Sequence, residues 1–251
     1  MMLRKKDIWT EYLKISESGR MDNQFERVIN VLGEENLRKL QNAHVAVFGL
    51  GGVGSFSVEA LARSGVGKLT LVDRDKIEPS NLNRQIEAVI DTVGTDKTEA
   101  FEQRLLSICP DIKLIKKKVS VDESSVESCF EERVDYVIDA IDSTDGKLAI
   151  WKYCQENGIP FVACLGAARR LDPEQLTVTT LNKTEKDPLA RKLRYLARQK
   201  GMDLKIKVVC SKEDPLPMND SGVLGSMIFV PATAGLICRK ECIKELLDIG
   251  K

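Results

Sequence analysis

Short, uninterrupted apolar runs alternate with amphipathic segments along the first two thirds of the chain. Residues 45–48 form one such run, typical of a parallel strand that is covered on both faces. Helical periodicity predicts helices at residues 21–40, with a break at Gly33, and at residues 95–108. Strands that alternate with helices predict an α/β fold with a doubly wound, mostly parallel sheet. Further strands are predicted just before Asp73 and at residues 112–119, 134–141 and 160–165, and a further helix at 146–158.

From Gly166 onward the pattern changes. Residues 176–181 alternate between apolar and polar, as a strand with one exposed face does. Asp187 and Pro188 open a helix, with the acid at the N-cap and proline in the first position. A loop is expected at residues 212–227 and a final amphipathic helix at 233–247. The C-terminal part is therefore predicted to be an antiparallel and helical extension.

A glycine-rich turn follows the first predicted strand. Gly49, Gly51, Gly52 and Gly54 let the backbone turn tightly, and the helix that follows directs its free N–H groups at an anion. Asp73 ends the next strand, where a carboxylate can accept hydrogen bonds from ribose hydroxyls. The arrangement predicts a Rossmann-like nucleotide site but does not identify the nucleotide. A purely structural glycine turn remains the alternative.

Charged side chains lie at the ends of other predicted strands and at the start of a predicted helix. Asp142 follows the fourth predicted strand, at the edge of the sheet where α/β folds bind ligands, so it could meet a metal or a nucleotide. Asp139, inside the apolar run, can be only structural. Lys97 opposes the dipole of its helix. That placement suits an ammonium that reaches for phosphate, although a solvated lysine is more common.

Bulk composition excludes several classes of protein. The 251 residues are 43% hydrophobic and 30% charged, as in an ordinary globular protein. Lys+Arg and Asp+Glu both number 38, so overall charge favours neither nucleic acid nor an anionic membrane. No apolar run approaches the roughly 20 residues that span a bilayer. Residues 1–20 lack the apolar core of a secretory signal, so we expect a cytoplasmic protein without a membrane partner.

Cysteine and histidine offer little for metal or nucleophilic chemistry. The seven cysteines contain no C-x-x-C pair, so we expect neither zinc nor a disulfide framework. Cys164, Cys238 and Cys242 have apolar neighbours that indicate core positions. His44, the single histidine, precedes the first strand, which argues against a histidine general base.

Positive charge is concentrated in the C-terminal part. Residues 183–212 contain ten basic and three acidic side chains, a net charge of +7. A charged helix face is usually only solvated. A segregated basic face on a neutral protein is also typical of a site for an RNA backbone. The sequence leaves both interpretations open.

The motifs together resemble a known superfamily. The adenylating domain of ubiquitin-activating-like, ThiF-type proteins shares, in order and spacing, G-L-G-G-V-G-S, L-V-D-R-D, S-N-L-N-R-Q, V-G-T-D-K and D-A-I-D. Within that superfamily the tRNA threonylcarbamoyladenosine dehydratases are similar in E-A-L-A-R-S-G-V-G, K-T-E-K-D-P-L-A-R-K-L-R and F-V-P-A-T-A-G-L. The resemblance runs from about residue 25 to the C-terminus.

This resemblance implies ATP rather than a dinucleotide, and it assigns roles to residues. Asp142 would carry Mg²⁺, and Arg27 would reach across a homodimer interface to the partner's ATP. Arg84 and Lys97 complete the implied catalytic set. The implied nucleotide-binding residues are Gly49, Gly51, Gly52, Gly54, Asp73, Asp75, Asn81, Arg84 and Lys97.

The resemblance also implies a reaction and a division of the chain. The threonyl carboxylate of the modified adenosine would attack the α-phosphorus of ATP, and ring closure by the carbamoyl group would complete a net loss of water. Residues 1–20 would be a tail, 21–165 the ATP-binding region, and 166–251 a tRNA-facing region packed on the same domain. The basic residues predicted to contact the tRNA are Arg169, Arg170, Lys183, Arg191, Lys192, Arg194 and Arg198.

Other functions share part of this pattern. An adenylyltransferase that activates a ubiquitin-like sulfur-carrier protein would use the same ATP motifs, although such enzymes usually add paired C-x-x-C zinc ligands. A non-catalytic nucleotide-sensing or docking module in sulfur transfer is a further possibility. A dehydrogenase is the weakest alternative, since Arg84, Lys97 and Asp142 would then share no purpose.

Overall fold

The computed structural model describes residues 24–218, 220 and 222–250, so the predicted tail, residues 1–20, lies outside the described part. None of the described helices is both long and apolar enough to cross a membrane. In chain order the helices and strands are α1 (Glu26–Leu32), α2 (Glu34–Asn42), β1 (His44–Phe48), α3 (Gly54–Arg63), β2 (Lys68–Val72), α4 (Lys97–Ile108), β3 (Lys113–Lys117), β4 (Tyr136–Asp139), α5 (Thr144–Glu156), β5 (Phe161–Cys164), β6 (Leu176–Thr180), α6 (Pro188–Gln199), β7 (Lys207–Ser211) and α7 (Phe229–Leu246).

Within the described residues the strands form one seven-stranded sheet in the order β3-β2-β1-β4-β5-β7-β6. Every neighbouring pair is parallel except β6 and β7. The strand order reverses at β1. Strands β2 and β3 lie on one side of β1, and the chain then crosses over so that β4 pairs with the other side of β1. The predicted doubly wound, mostly parallel sheet is confirmed.

The sheet is buried because helices cover both of its faces. Every residue of β1 and β4 is buried, as their continuous apolar runs indicate. One core layer joins the sheet to α2, α3, α4 and α7, and it includes Cys238 and Cys242 as predicted. The opposite layer contains side chains of α5 and α6, among them Trp151 and Leu193.

Strand β7 was not predicted from the sequence. It lies between β5 and β6, with Val209 opposite both Cys164 and Val178. Its apolar centre is only V-V-C, in a stretch that basic residues dominate, so no periodicity marks it. Lys207 at its start forms ion pairs with Glu241 and Glu245 of α7. Part of the basic excess is therefore balanced internally.

Helix α7 begins at Phe229, four residues before the predicted start at residue 233. Pro231 lies in its first turn, where the missing N–H of proline costs no hydrogen bond. Gly235 lets this helix pack closely on α3, and the Ser57 hydroxyl donates a 2.9 Å hydrogen bond to the Gly235 carbonyl. The predicted start of α6 is confirmed, because Asp187 caps it by accepting from the Ala190 N–H.

Replacing Gly235 with alanine should separate these two helices. A Cβ atom at this position would lie 2.2 Å from the Val53 carbonyl oxygen, so the backbone must shift. We expect Gly235→Ala to lower the free energy of unfolding by about 1–3 kcal/mol in denaturant titrations. Gly225→Ala is the matched control, because its Cβ would meet no atom within 4 Å. Equal stability of the two variants would contradict this packing argument.

Candidate active site

A cavity of about 710 Å³ lies beyond the carboxyl ends of β1, β2, β4 and β5. This is where open α/β sheets bind ligands. Eleven of the predicted site residues, which come from separate segments, meet here. Those that line the cavity are Gly49, Gly51, Gly52, Asp73, Asp75, Asn81, Arg84, Lys97, Asp142, Arg169 and Arg170.

The glycine turn is held against the loop that carries Asp142. Gly49 has a φ of +85°, and a Cβ atom there would lie 2.8 Å from the Ala140 carbonyl, so only glycine fits. Gly54 does not line the cavity. Its Cβ would lie 1.7 Å from the Gly49 carbonyl oxygen, so this glycine lets α3 pack on the turn instead of facing a ligand.

Asp73 ties the glycine turn to the end of β2. One carboxylate oxygen accepts a 2.7 Å hydrogen bond from the Leu50 N–H, and the other accepts a 2.8 Å bond from the Asp75 N–H. The side chain is only 8% exposed. A carboxylate fixed in this way can present its remaining lone pairs to hydroxyl donors in the cavity.

Lys97 is the first residue of α4, so its predicted place in the first turn is confirmed. Its side chain is buried, and the ammonium lies 3.3 Å from the Asp75 carboxylate and 3.6 Å from that of Asp73. Asp75 is half-exposed. A phosphate can therefore replace Asp75 beside the ammonium, since water can solvate the displaced carboxylate.

Asn81 and Arg84 also line the cavity. Asn81 ends a short 3-10 turn, Pro79–Asn81, and accepts a hydrogen bond from the Glu78 N–H. The Arg84 guanidinium donates to the Ser80 carbonyl and to the Asn83 side chain, both at 2.8 Å. The stem of Arg84 passes close to Gly52, where an added Cβ would lie 3.4 Å from its Cγ.

Asp142 is an exposed carboxylate on the cavity wall, with neither a hydrogen bond nor an ion pair to the described residues. The described part contains no cluster of three or more side chains that could hold a metal by themselves. Mg²⁺ is commonly bound through one or two carboxylates together with substrate phosphates. A single free carboxylate beside an anion cavity fits that mode of binding, and not an all-protein metal cage.

Asp139 has the structural role that the sequence allowed. It is fully buried and accepts two 3.0 Å hydrogen bonds from Lys147 and one of 2.6 Å from the Trp151 indole. Lys147 also donates to the Cys164 carbonyl at 2.7 Å. This network joins the ends of the neighbouring strands β4 and β5, and it was not predicted from the sequence.

The structure removes Arg170 from the set of tRNA contacts. Arg170 is 3% exposed, and its guanidinium donates to the Ser211 and Glu213 carbonyls. It also lies 3.8 Å from Asp187, which accepts a hydrogen bond from the Gly166 N–H. The side chain is bound inside the protein and shapes the cavity wall, so it is not available to an RNA backbone.

The other predicted tRNA contacts divide into two groups. Arg169 and Arg194 are half-buried and bound to the protein's own carbonyls, Arg169 to Leu216 and Arg194 to Leu181 and Thr184. The exposed side chains are Lys183, Arg191, Lys192 and Arg198.

Arg27 lies on α1, is exposed and does not line the cavity of its own chain. A role for Arg27 at a partner's site stays a prediction.

The buried Lys147 network provides a stability test. Lys147→Met should leave Asp139 buried without its cation and lower the free energy of unfolding by about 3–5 kcal/mol. Lys152→Met on the same helix is the control, because its ion pair with Glu123 is exposed and should contribute about 1 kcal/mol or less. Adding Asp139→Asn to Lys147→Met should recover part of the loss. A double variant no more stable than Lys147→Met would contradict an uncompensated charge as the cause.

Comparisons with known proteins agree with this geometry. The ThiF family model matches residues 25–249. A tRNA threonylcarbamoyladenosine dehydratase of Bacillus subtilis is 37% identical over 243 residues, which cover 90% of this chain and 96% of that protein. A molybdopterin-synthase adenylyltransferase of Salmonella typhimurium is 30% identical over 217 residues, 86% of this chain and 78% of that protein.

Solved structures are similar over the same range. The Escherichia coli tRNA N6-threonylcarbamoyladenosine dehydratase, TcdA, in complex with AMP matches with a TM-score of 0.86 and 37% identity. The same protein in complex with ATP gives a TM-score of 0.85 and 36% identity. Each match covers 90% of this chain and 95% of the solved one. The chain therefore belongs to the ThiF family.

Proposed function

We propose that this ThiF family protein is an ATP-dependent tRNA threonylcarbamoyladenosine dehydratase. The observation that carries the proposal is that the glycine turn, Asp73, Arg84, Lys97 and Asp142 line one cavity. The dehydratase of Bacillus subtilis and the TcdA complexes with AMP and ATP support it, since they match nearly the whole chain.

The chemistry requires positioning and charge stabilisation and no protein nucleophile. A threonyl carboxylate oxygen attacks the α-phosphorus of ATP, and pyrophosphate leaves. The carbamoyl group then closes a ring on the activated carbonyl carbon and expels AMP, which keeps the carboxylate oxygen. The N–H groups of the glycine turn, with Arg84 and Lys97, are suited to hold the phosphates while negative charge moves onto the leaving group.

Asp142 is the residue that would hold Mg²⁺ in this reaction. Its carboxylate faces the cavity and is free of other partners in the described part of the chain. When bound, the ion neutralises charge on the phosphate oxygens.

The tRNA would lie across the C-terminal region, residues 166–251, while residues 21–165 bind most of the nucleotide. Support comes from the exposed cations of α6, Arg191, Lys192 and Arg198, together with Lys183 just before that helix. These side chains lie outside the cavity, as contacts to an extended phosphate backbone would.

A cytoplasmic homodimer is the proposed working form. Arg27 is exposed and does not line the cavity of its own chain. Its guanidinium is therefore available to bind the ATP of a partner subunit. A sulfur-transfer protein is a further candidate partner, since a molybdopterin-synthase adenylyltransferase is among the similar proteins.

The direct test supplies threonylcarbamoyladenosine-containing tRNA and ATP and measures the modified nucleoside and AMP. Asp142→Asn should lower the rate of dehydration by about 100-fold or more, because it removes the carboxylate beside the phosphates. Asp145→Asn, an exposed acid three residues further on, should keep full activity. If AMP forms only with a carrier protein that ends in Gly-Gly, the dehydratase proposal is wrong and the carrier-activating alternative is correct.

The basic face gives a separate prediction about tRNA binding. The double variant Arg191→Glu and Arg198→Glu should weaken binding and make the slope of log K against log salt shallower by about two, one for each phosphate left without its cation. Lys113→Glu, an exposed lysine on β3 at the far edge of the sheet, should leave that slope unchanged. Equal slopes for the two charge-reversed proteins would show that the face is only solvated.

A further inference from the structure

Glu87 is a buried acid whose side chain has no hydrogen-bond partner on another described residue. It lies between the 3-10 turns Pro79–Asn81 and Ile90–Thr92 and is 3% exposed. Its backbone carbonyl accepts a hydrogen bond from the Thr92 hydroxyl. An ionised carboxylate is costly in such a place, so the group favours its neutral form.

The charged groups around Glu87 belong to the nucleotide site and its support. They are Asp73 at the end of β2 and Lys97 and Arg104 on α4. Arg104 is already bound to Glu59 through hydrogen bonds of 2.6 and 3.2 Å. The Lys97 ammonium faces the carboxylates of Asp73 and Asp75. Because both cations are already paired, they offset only part of the cost of ionising Glu87.

Burial raises the pKa of Glu87 to about 8. The residue's own backbone N–H, Lys97 and Arg104 oppose the rise in this pKa, and the negative charge of Asp73 adds to it. Near neutral pH the carboxyl is therefore mostly protonated. The Lys97 ammonium then faces the carboxylates of Asp73 and Asp75 without a further negative charge on Glu87.

We propose that Glu87 is a positioning residue whose proton keeps Lys97 available to the nucleotide phosphates. The inference rests on the proposed ATP site. When Glu87 loses its proton, a third negative charge acts on Lys97 and on the incoming phosphates. Nucleotide binding must then either restore the proton or proceed against that repulsion.

The direction of the pH dependence follows from this coupling. Bound phosphates disfavour the ionised form of Glu87, so its pKa is higher in the complex than in the free protein. Below about pH 8 the proton is present in both states and Glu87 adds no pH dependence. Above it, binding takes up a proton and the dissociation constant rises, by at most about tenfold per pH unit.

Isothermal titration of the full chain with ATP can measure this coupling. Titrations at about pH 7 and about pH 9, in buffers with different ionisation enthalpies, give both the affinity and the number of protons taken up. We expect the wild-type chain to take up as much as one proton per site at the higher pH and to bind about tenfold more weakly there. Because every variant binds the same nucleotide, ionisation of ATP itself cancels in comparisons between variants.

Glu87→Gln mimics the protonated acid and is the informative variant. It should match wild-type affinity near pH 7 and lose most of the proton uptake and weakening near pH 9. Asp91→Asn is the matched control, because Asp91 is an exposed acid in the following turn and its removal should leave the wild-type pH dependence intact.

The possible failures are distinguishable. If the wild-type chain does not bind ATP at either pH, the proposed nucleotide site is wrong and this inference fails with it. If ATP binds but Glu87→Gln keeps the wild-type proton uptake, only the inference about Glu87 is overturned. A loss of affinity in Glu87→Gln already near pH 7 would also overturn it, since the neutral side chain would then act other than by its charge.

Discussion

The hydrogen bond from the Leu50 N–H to the Asp73 carboxylate, together with the one from the Gly49 N–H to the Val72 carbonyl, links the glycine turn after β1 to the end of β2. The other sides of the cavity depend on this link. The same Asp73 oxygen lies 3.6 Å from the Lys97 ammonium at the start of α4. On its far side the turn packs against Ala140, which leads into the loop with Asp142. Displacing the turn would therefore change the positions of the proposed ribose, phosphate and magnesium ligands together.

Two buried ion pairs support the backbone segments that line the cavity beyond β4 and β5. Lys147 bonds to Asp139 and to the Cys164 carbonyl, and so connects the ends of β4 and β5. Arg170 lies near Asp187, whose carboxylate also accepts from the Gly166 N–H. Buried charges of this kind contribute little net stability unless their hydrogen bonds are satisfied, but removing one partner is costly. They hold backbone segments of the C-terminal region against the nucleotide side of the sheet.

The nucleotide-binding half could be predicted from sequence because its signals are local. A glycine turn has strict steric requirements, and an apolar run followed by an acid marks the end of a buried strand. These two local patterns are enough to place Gly49, Asp73 and Asp142 at the ligand edge of the sheet. The resemblance to ThiF-type proteins then added Asn81, Arg84 and Asp75, which composition alone could not assign.

The remaining features depend on contacts between residues far apart in sequence. Strand β7 has too few apolar residues to show a period, and its place between β5 and β6 is decided by tertiary pairing. Arg170 and Glu87 look like ordinary surface charges in sequence, since no local pattern reports burial. Gly54 matches the glycine spacing of the nucleotide-binding fingerprint, but in the structure it lets α3 pack on the turn. The spacing alone cannot distinguish a glycine that faces a ligand from one that permits helix packing. A charge count likewise cannot separate the exposed Arg191 from the internally bound Arg194.

In the proposed reaction this cavity activates a carboxylate by transferring AMP to it. Isotope transfer from the carboxylate to AMP can be measured directly. The tRNA substrate is prepared with ¹⁸O in the threonyl carboxylate, incubated with the protein and ATP, and the released AMP is analysed by mass spectrometry. Attack on the α-phosphorus predicts one labelled oxygen in the AMP for each molecule of cyclised nucleoside. Unlabelled AMP, or ADP and phosphate in its place, would contradict the account.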